Sequence, residues 1–149
     1  MSLHPDYPIV TGEYQMTDEW KVTLPEKFNR RVEEGSLVLW RPAITFWITI
    51  WGNDGNASTD KRLASILEAA SDLRSDELIE RAEDIVRLTY ELPEEDTSRP
   101  KATYRSISGY VISTPGHVQI SAYFDTPSAR TLGYEVIHSV QMTRGRSLD

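Results

Sequence analysis

The stretch Ile44-Thr45-Phe46-Trp47-Ile48-Thr49-Ile50-Trp51-Gly52 decides the fold class. Every residue before the glycine is β-branched or aromatic, the types that suit a pleated, packed surface. Alternation divides the stretch into two faces. Ile44, Phe46, Ile48 and Ile50 form an apolar face that needs cover from helices. Thr45, Trp47, Thr49 and Trp51 form the opposite face, where aromatic and hydroxyl groups alternate.

Neighbouring segments extend the same pattern. Upstream, Trp20, Val22 and Leu24 alternate until Pro25, and Phe28, Arg30 and Val32 resume the alternation. Glu34-Gly35 marks a turn, Ser36–Arg41 is a further strand, and Pro42 stops it. Residues 1–17 read as an irregular entry. Downstream the period changes: Leu63, Ile66, Leu67, Ala70 and Leu73 recur at helical spacing, with Thr59 as N-cap. Asp76–Ala82 reads as a short helix or turn. In the next segment Val86, Leu88, Tyr90 and Leu92 face inward, while Arg87, Thr89 and Glu91 face outward.

Two more strands, Ala102–Ser113 and His117–Asp125, flank Thr114-Pro115-Gly116. That tripeptide suits a type II turn with glycine at the positive φ. Thr126-Pro127 opens a last helix with the stripe Ala129, Leu132, Gly133, Val136, Ile137 and Val140. Residues 142–149 read as a frayed tail. The expected fold is thus a single α+β domain over residues 1–149, an antiparallel sheet flanked by helices in a sandwich-like arrangement. The expected order is ββββ–α–βββ–α. Phe46, Ile48, Ile50, Leu132 and Val136 are expected to share one core with Leu63, Ile66 and Leu67.

Composition narrows the function classes. The 149 residues contain no cysteine, which excludes disulfides, thiolate metal sites and cysteine nucleophiles. A formal net charge of −7 opposes phosphate backbones, so nucleic acid is not an expected partner. The charge gathers at Glu91, Glu94, Glu95 and Asp96 and around Asp72–Asp84. No apolar run approaches the ~20 residues of a membrane span, and the N-terminus has no secretory pattern. The expected location is cytoplasmic, with no membrane partner.

No chemical motif emerges. His4, His117 and His138 lack metal-pair spacing, and Asn53-Asp54-Gly55-Asn56 lacks the distal ligands of a calcium loop. A Ser121–His117–Asp125 triad has no nucleophile elbow. No cofactor and no metal are expected. The candidate binding residues are Trp40, Trp47, Trp51, Thr45 and Thr49, because Trp is enriched in interface anchors. The competing reading is an ordinary sheet covered on both faces by the N-terminal segment or a loop.

The segments Trp20–Pro25, Gly35–Trp40, residues 44–51 and Gly116–Asp125, followed by a helix ending near Ser139-Val140, resemble PsbP-like domains over residues 18–141. That superfamily includes photosystem II extrinsic subunits, a Ran-binding nuclear import factor and many small bacterial proteins. The resemblance implies an α/β/α sandwich and non-enzymatic docking onto another protein. Two functions follow as expectations. One is a protein-binding adaptor, regulator or immunity-type protein neutralising a toxin, whose partner is another protein or a second copy of the chain. The other is a small-ligand binder or enzyme with a pocket lined by Trp47, Trp51, Tyr104, Tyr110 and Tyr123.

Overall fold

The computed structural model describes residues 3–82, 84–93 and 105–143. The acidic stretch 94–96, Tyr104 and the tail beyond residue 143 lie outside the described residues. The elements are β1 (Ile9–Gln15), β2 (Trp20–Glu33), β3 (Ser36–Arg41), β4 (Ile44–Gly52) and α1 (Thr59–Ala69). They continue as β5 (Ser75–Arg81), β6 (Val86–Pro93), β7 (Arg105–Ser113), β8 (Gly116–Phe124), α2 (Pro127–Ser139) and β9 (Gln141–Met142). All pairings are antiparallel, in the order β1-β2-β3-β4-β8-β7-β6-β5, with β9 beside β2. The described residues therefore form an antiparallel sheet with two helices, as expected of the α+β class.

The structure adds three strands to the expected order. β1 replaces the irregular entry, pairing Tyr14 with Val22 and packing Val10 and Tyr14 on the core. Four strands, not three, separate the helices, because β5 occupies Ser75–Arg81 where a helix or turn was expected. Its side chains are nearly all exposed, so no buried face imprints a period on the sequence. Pairing with β6 makes it a strand, with Leu78 opposite Thr89 and Ile79 opposite Leu88. Lastly, Gln141–Met142 pairs with β2, and the Thr143 amide donates to Glu19 (2.8 Å), so these residues are held rather than frayed.

Pro25 does not split β2. The register shifts between Val10 and Gly12, so residues 25–27 stand opposite Thr11 alone. A proline has no ladder hydrogen to donate, and a bulge is a place that tolerates this. Turn chemistry fixes the next registers. Glu34 (φ 51°) and Gly35 (φ 83°) are both left-handed, the requirement of a two-residue hairpin that follows the strand twist. Ala43 takes φ 77° after Pro42, closing the hairpin that sets Trp40 opposite Thr45.

The helices lie against opposite faces. Val136 and Ile137 of α2 cluster with Phe46, Ile48, Ile107 and Ile120. Leu63 of α1 instead clusters with Val86, Leu88, Tyr90 and Ile112, with Ile66 and Leu67 beside them. Val111 belongs to the first cluster and Ile112 to the second, as alternation along β7 requires. The expected single core is therefore two cores. The N-cap of α1 is Ser58, not Thr59: its Oγ accepts from the Lys61 amide (3.1 Å). Thr126 caps α2 ahead of Pro127, its Oγ1 accepting from the Ala129 amide (3.1 Å).

β6 is buried on both sides, so the outward expectation for Thr89 and Glu91 fails: both are 1% exposed. Glu91 accepts hydrogen bonds from Arg130 and from the Tyr134 hydroxyl (2.5 Å) on α2. Those partners are what make burial of a carboxylate tolerable.

Candidate functional site

The outer face of β4 is continuous with β3 and β8. Register puts Trp40 beside Thr45 and Val38 beside Trp47. It puts Tyr123, Ser121, Gln119 and His117 beside Thr45, Trp47, Thr49 and Trp51 in turn. All five candidate residues, Trp40, Trp47, Trp51, Thr45 and Thr49, therefore share one face. Thr49 Oγ1 meets Ser36 Oγ at 2.8 Å, continuing a row of hydroxyls across the strands.

The three tryptophans differ in cover. Tyr7 packs its ring at 77° against Trp40, with centroids 5.0 Å apart. The buried Asn29 holds this entry segment down, donating to the carbonyls of His4 (2.9 Å) and Tyr7 (3.2 Å). The Arg31 guanidinium lies 4.8 Å from the Trp40 ring centroid and 5.7 Å from that of Trp47. A cation over an indole face is attracted by its negative quadrupole. Trp40 and Trp47 are thus half-buried under groups of their own chain. Trp51 is 50% exposed, and Tyr123, at the far end of the same face, is 39% exposed.

Beside Trp51 the face meets α1 and forms an open groove of about 350 Å³. Trp51, Tyr110, His117 and Gln119 line its sheet side, with Tyr90 behind them, and Ser65, Ala69 and Ser71 come from the helical side. The rings form a row: Trp51 to His117 at 6.3 Å and 23°, His117 to Tyr110 at 6.4 Å, Tyr110 to Tyr90 at 6.3 Å. The Trp51 indole N–H donates to Gln119 Oε1 (3.2 Å). Burial, with the positive Arg62 nearby, pushes the His117 pKa down, so its imidazole is neutral at pH 7. Its Nδ1 has no hydrogen-bond partner among the described residues, nor do Arg62 Nε and Nη1. Burial also raises the Tyr110 phenol, helped by its bond with Tyr90.

The expected aromatic pocket is thereby divided. Trp51 and Tyr110 share the groove, whereas Trp47 and Tyr123 belong to the flat part of the face. Gln119 and Tyr90 were absent from the sequence-level candidates, and His117 was weighed there only as a metal ligand or triad base. The alternation His117-Gln119-Ser121-Tyr123 was visible, but only strand pairing aligns it with Trp51. Ser121 stands four residues from His117 on one strand, about 13 Å away, so no triad assembles there. His138 of α2 contacts Glu80 of β5 (2.9 Å), and β7 and β6 separate β5 from the strand that carries His117. A wider cleft of about 600 Å³ at the start of α1 carries an Asp60–Arg81 ion pair (2.8 Å) and, among the described residues, no aromatic lining.

An antiparallel sheet with a helix on each face and an aromatic outer surface defines the class of this domain. No family model matches the chain, and no curated protein does. A crystal structure from Bacteroides thetaiotaomicron VPI-5482 is similar in fold, with a TM-score of 0.56 and 14% identity. The match covers 91% of this chain and 49% of that one, so the chain spans about half the length of that neighbour. At this identity the likeness speaks for the fold alone. Among the described residues no helix is long and apolar enough to cross a membrane.

Proposed function

We propose that the chain is a non-enzymatic protein-binding module of the cytoplasm, an adaptor, regulator or immunity-type protein that receives its partner on the outer sheet face. The carrying observation is the pair Trp51 and Tyr123, 50% and 39% exposed, at opposite ends of one sheet face. Between them run Thr45, Thr49 and Ser121, six residues of strand or about 20 Å. Aromatic anchors within a polar surround resemble the anatomy of protein interfaces. The resemblance to PsbP-like domains supports the same reading, since members of that superfamily dock onto other proteins. A helix against each face likewise supports the α/β/α sandwich which that resemblance implies.

The test adds charge to the flat face without touching either core. The double variant Thr45→Glu, Ser121→Glu keeps the fold by circular dichroism. Proteins cross-linked to the wild-type chain are then compared with those cross-linked to the variant. Loss of a specific partner from the variant supports the reading, and loss of a self-cross-link identifies a second copy as that partner. Identical sets from both chains overturn it.

A further inference from the structure

The groove beside Trp51 differs in chemistry from the flat face and carries its own inference. Among the described residues none that lines it is charged, in a chain that is 26% Asp, Glu, Lys and Arg. Its wall combines aromatic faces and the aliphatic Ile66 and Ala70 with the hydroxyl and amide groups of Tyr110, Ser65, Ser71 and Gln119. We propose that this groove binds a neutral saccharide of one or two rings, stacked on Trp51.

A pyranose ring presents an apolar C–H face and an equatorial rim of hydroxyls. The C–H face suits the electron-rich face of an indole. The hydroxyl rim suits neutral donors and acceptors that can be satisfied without burying a charge. Gln119 already accepts the Trp51 N–H through Oε1, so its Nε2 hydrogens remain to donate to a ligand, and Trp51 is held in place. Ile66 of α1 also lines the groove, but the small Ser65 and Ala69 of α1 and Ser71 just past its end leave space that larger side chains would fill. A volume of about 350 Å³ falls at the lower end for small-molecule sites, roughly 300–1,000 Å³.

Other ligand classes fit less well. Among the described lining residues a nucleotide or anionic sugar finds no cation: the His117 imidazole is neutral, and Arg62, outside the lining, donates to the Ser113 carbonyl. A peptide docking as an added strand needs a free sheet edge. β4, β8 and β7 are interior strands, paired on both sides. The inference shares Trp51 with the protein-docking reading but uses the groove beside it, so a variant at Thr45 and Ser121, outside the groove lining, separates the two.

The test is a titration of the whole chain followed by intrinsic fluorescence and calorimetry. The neutral probes are methyl β-glucoside, N-acetylglucosamine, maltose and cellobiose. Glucuronate and glucosamine are the charged probes, and the blocked peptide acetyl-Gly-Tyr-Gly-amide is the peptide probe. At least one neutral sugar is expected to bind saturably with a dissociation constant of about 1–10 mM and a blue shift of tryptophan emission. Trp51→Ala should abolish that response, while the Thr45→Glu, Ser121→Glu variant should retain it. Failure of every neutral sugar at 100 mM (about ten times the upper end of that range) overturns the inference. So does tighter binding of a charged sugar or of the peptide. Loss of partner cross-linking in the Thr45→Glu, Ser121→Glu variant with sugar binding intact separates the two functional readings.

Discussion

Gly116 opens β8 opposite Gly52, at the end of the sheet where Trp51 and His117 meet. It does not lie in the left-handed region, so the type II turn expected from Thr114-Pro115-Gly116 is not the reason for the glycine. The reason is close approach. A Cβ at this position would stand 2.0 Å from the Trp51 carbonyl oxygen, 3.0 Å from its carbon and 3.1 Å from the Gly52 Cα. All three are backbone atoms, so no side chain can swing away. Gly116→Ala must move β8 from β4 by about 1 Å, against a normal strand spacing of ~4.8 Å. Overpacking costs about 1–3 kcal/mol, and one weakened ladder bond adds about 1 kcal/mol. The expected loss is therefore about 3 kcal/mol, a shift of about 1.5 M in the urea midpoint for a slope near 2 kcal/mol per M. Gly55→Ala is the control, since nothing lies within 4 Å of its added Cβ. Gly116→Asn separates the two explanations. Asn tolerates a positive φ, so it would be mild if turn conformation mattered, but it should cost at least as much as Ala if close approach does. Urea unfolding that places either variant within about 1 kcal/mol of wild type would refute the steric argument.

Ile48→Ala should cost about 2–5 kcal/mol and the half-buried Leu67→Ala less; with the two residues in separate clusters, the double variant should be additive to about 0.5 kcal/mol in urea unfolding. Glu91→Ala should destabilise by about 1–3 kcal/mol because Tyr134 loses its acceptor, and Glu91→Gln by less, since the amide oxygen still accepts. The His117 pKa is lowered on folding, so below its unfolded value of 6.5 the unfolded chain binds the additional proton. Stability should accordingly fall as pH drops from 7 through 6.5, and His117→Gln should flatten that slope in thermal melts. An NMR titration placing His117 above 6.5 would contradict this.

Much of the fold is legible in local periodicity. The alternation of β4 separates the isoleucine–phenylalanine face from the threonine–tryptophan face, and Thr126-Pro127 announces α2. Both signals are intrinsic to short segments, because each side chain's direction follows from its place in a strand or helix. Tertiary structure decided the rest. β5 carries no buried stripe and becomes a strand only by pairing, while Pro25 is accommodated by a bulge that its partner strand supplies. The apolar stripe of α1 shows that the helix needs cover but not which face of the sheet supplies it; the pairing of β6 with β7 places Leu88 and Ile112 beneath it. Glu91 looks like a solvent-facing carboxylate until α2 brings Arg130 and Tyr134 over it. The threonine–tryptophan face was readable from one strand, but its division into a flat part and a groove was not. His117 and Gln119 reach Trp51 across 66 and 68 residues of chain, and contacts that distant are set by strand register, which no local pattern encodes.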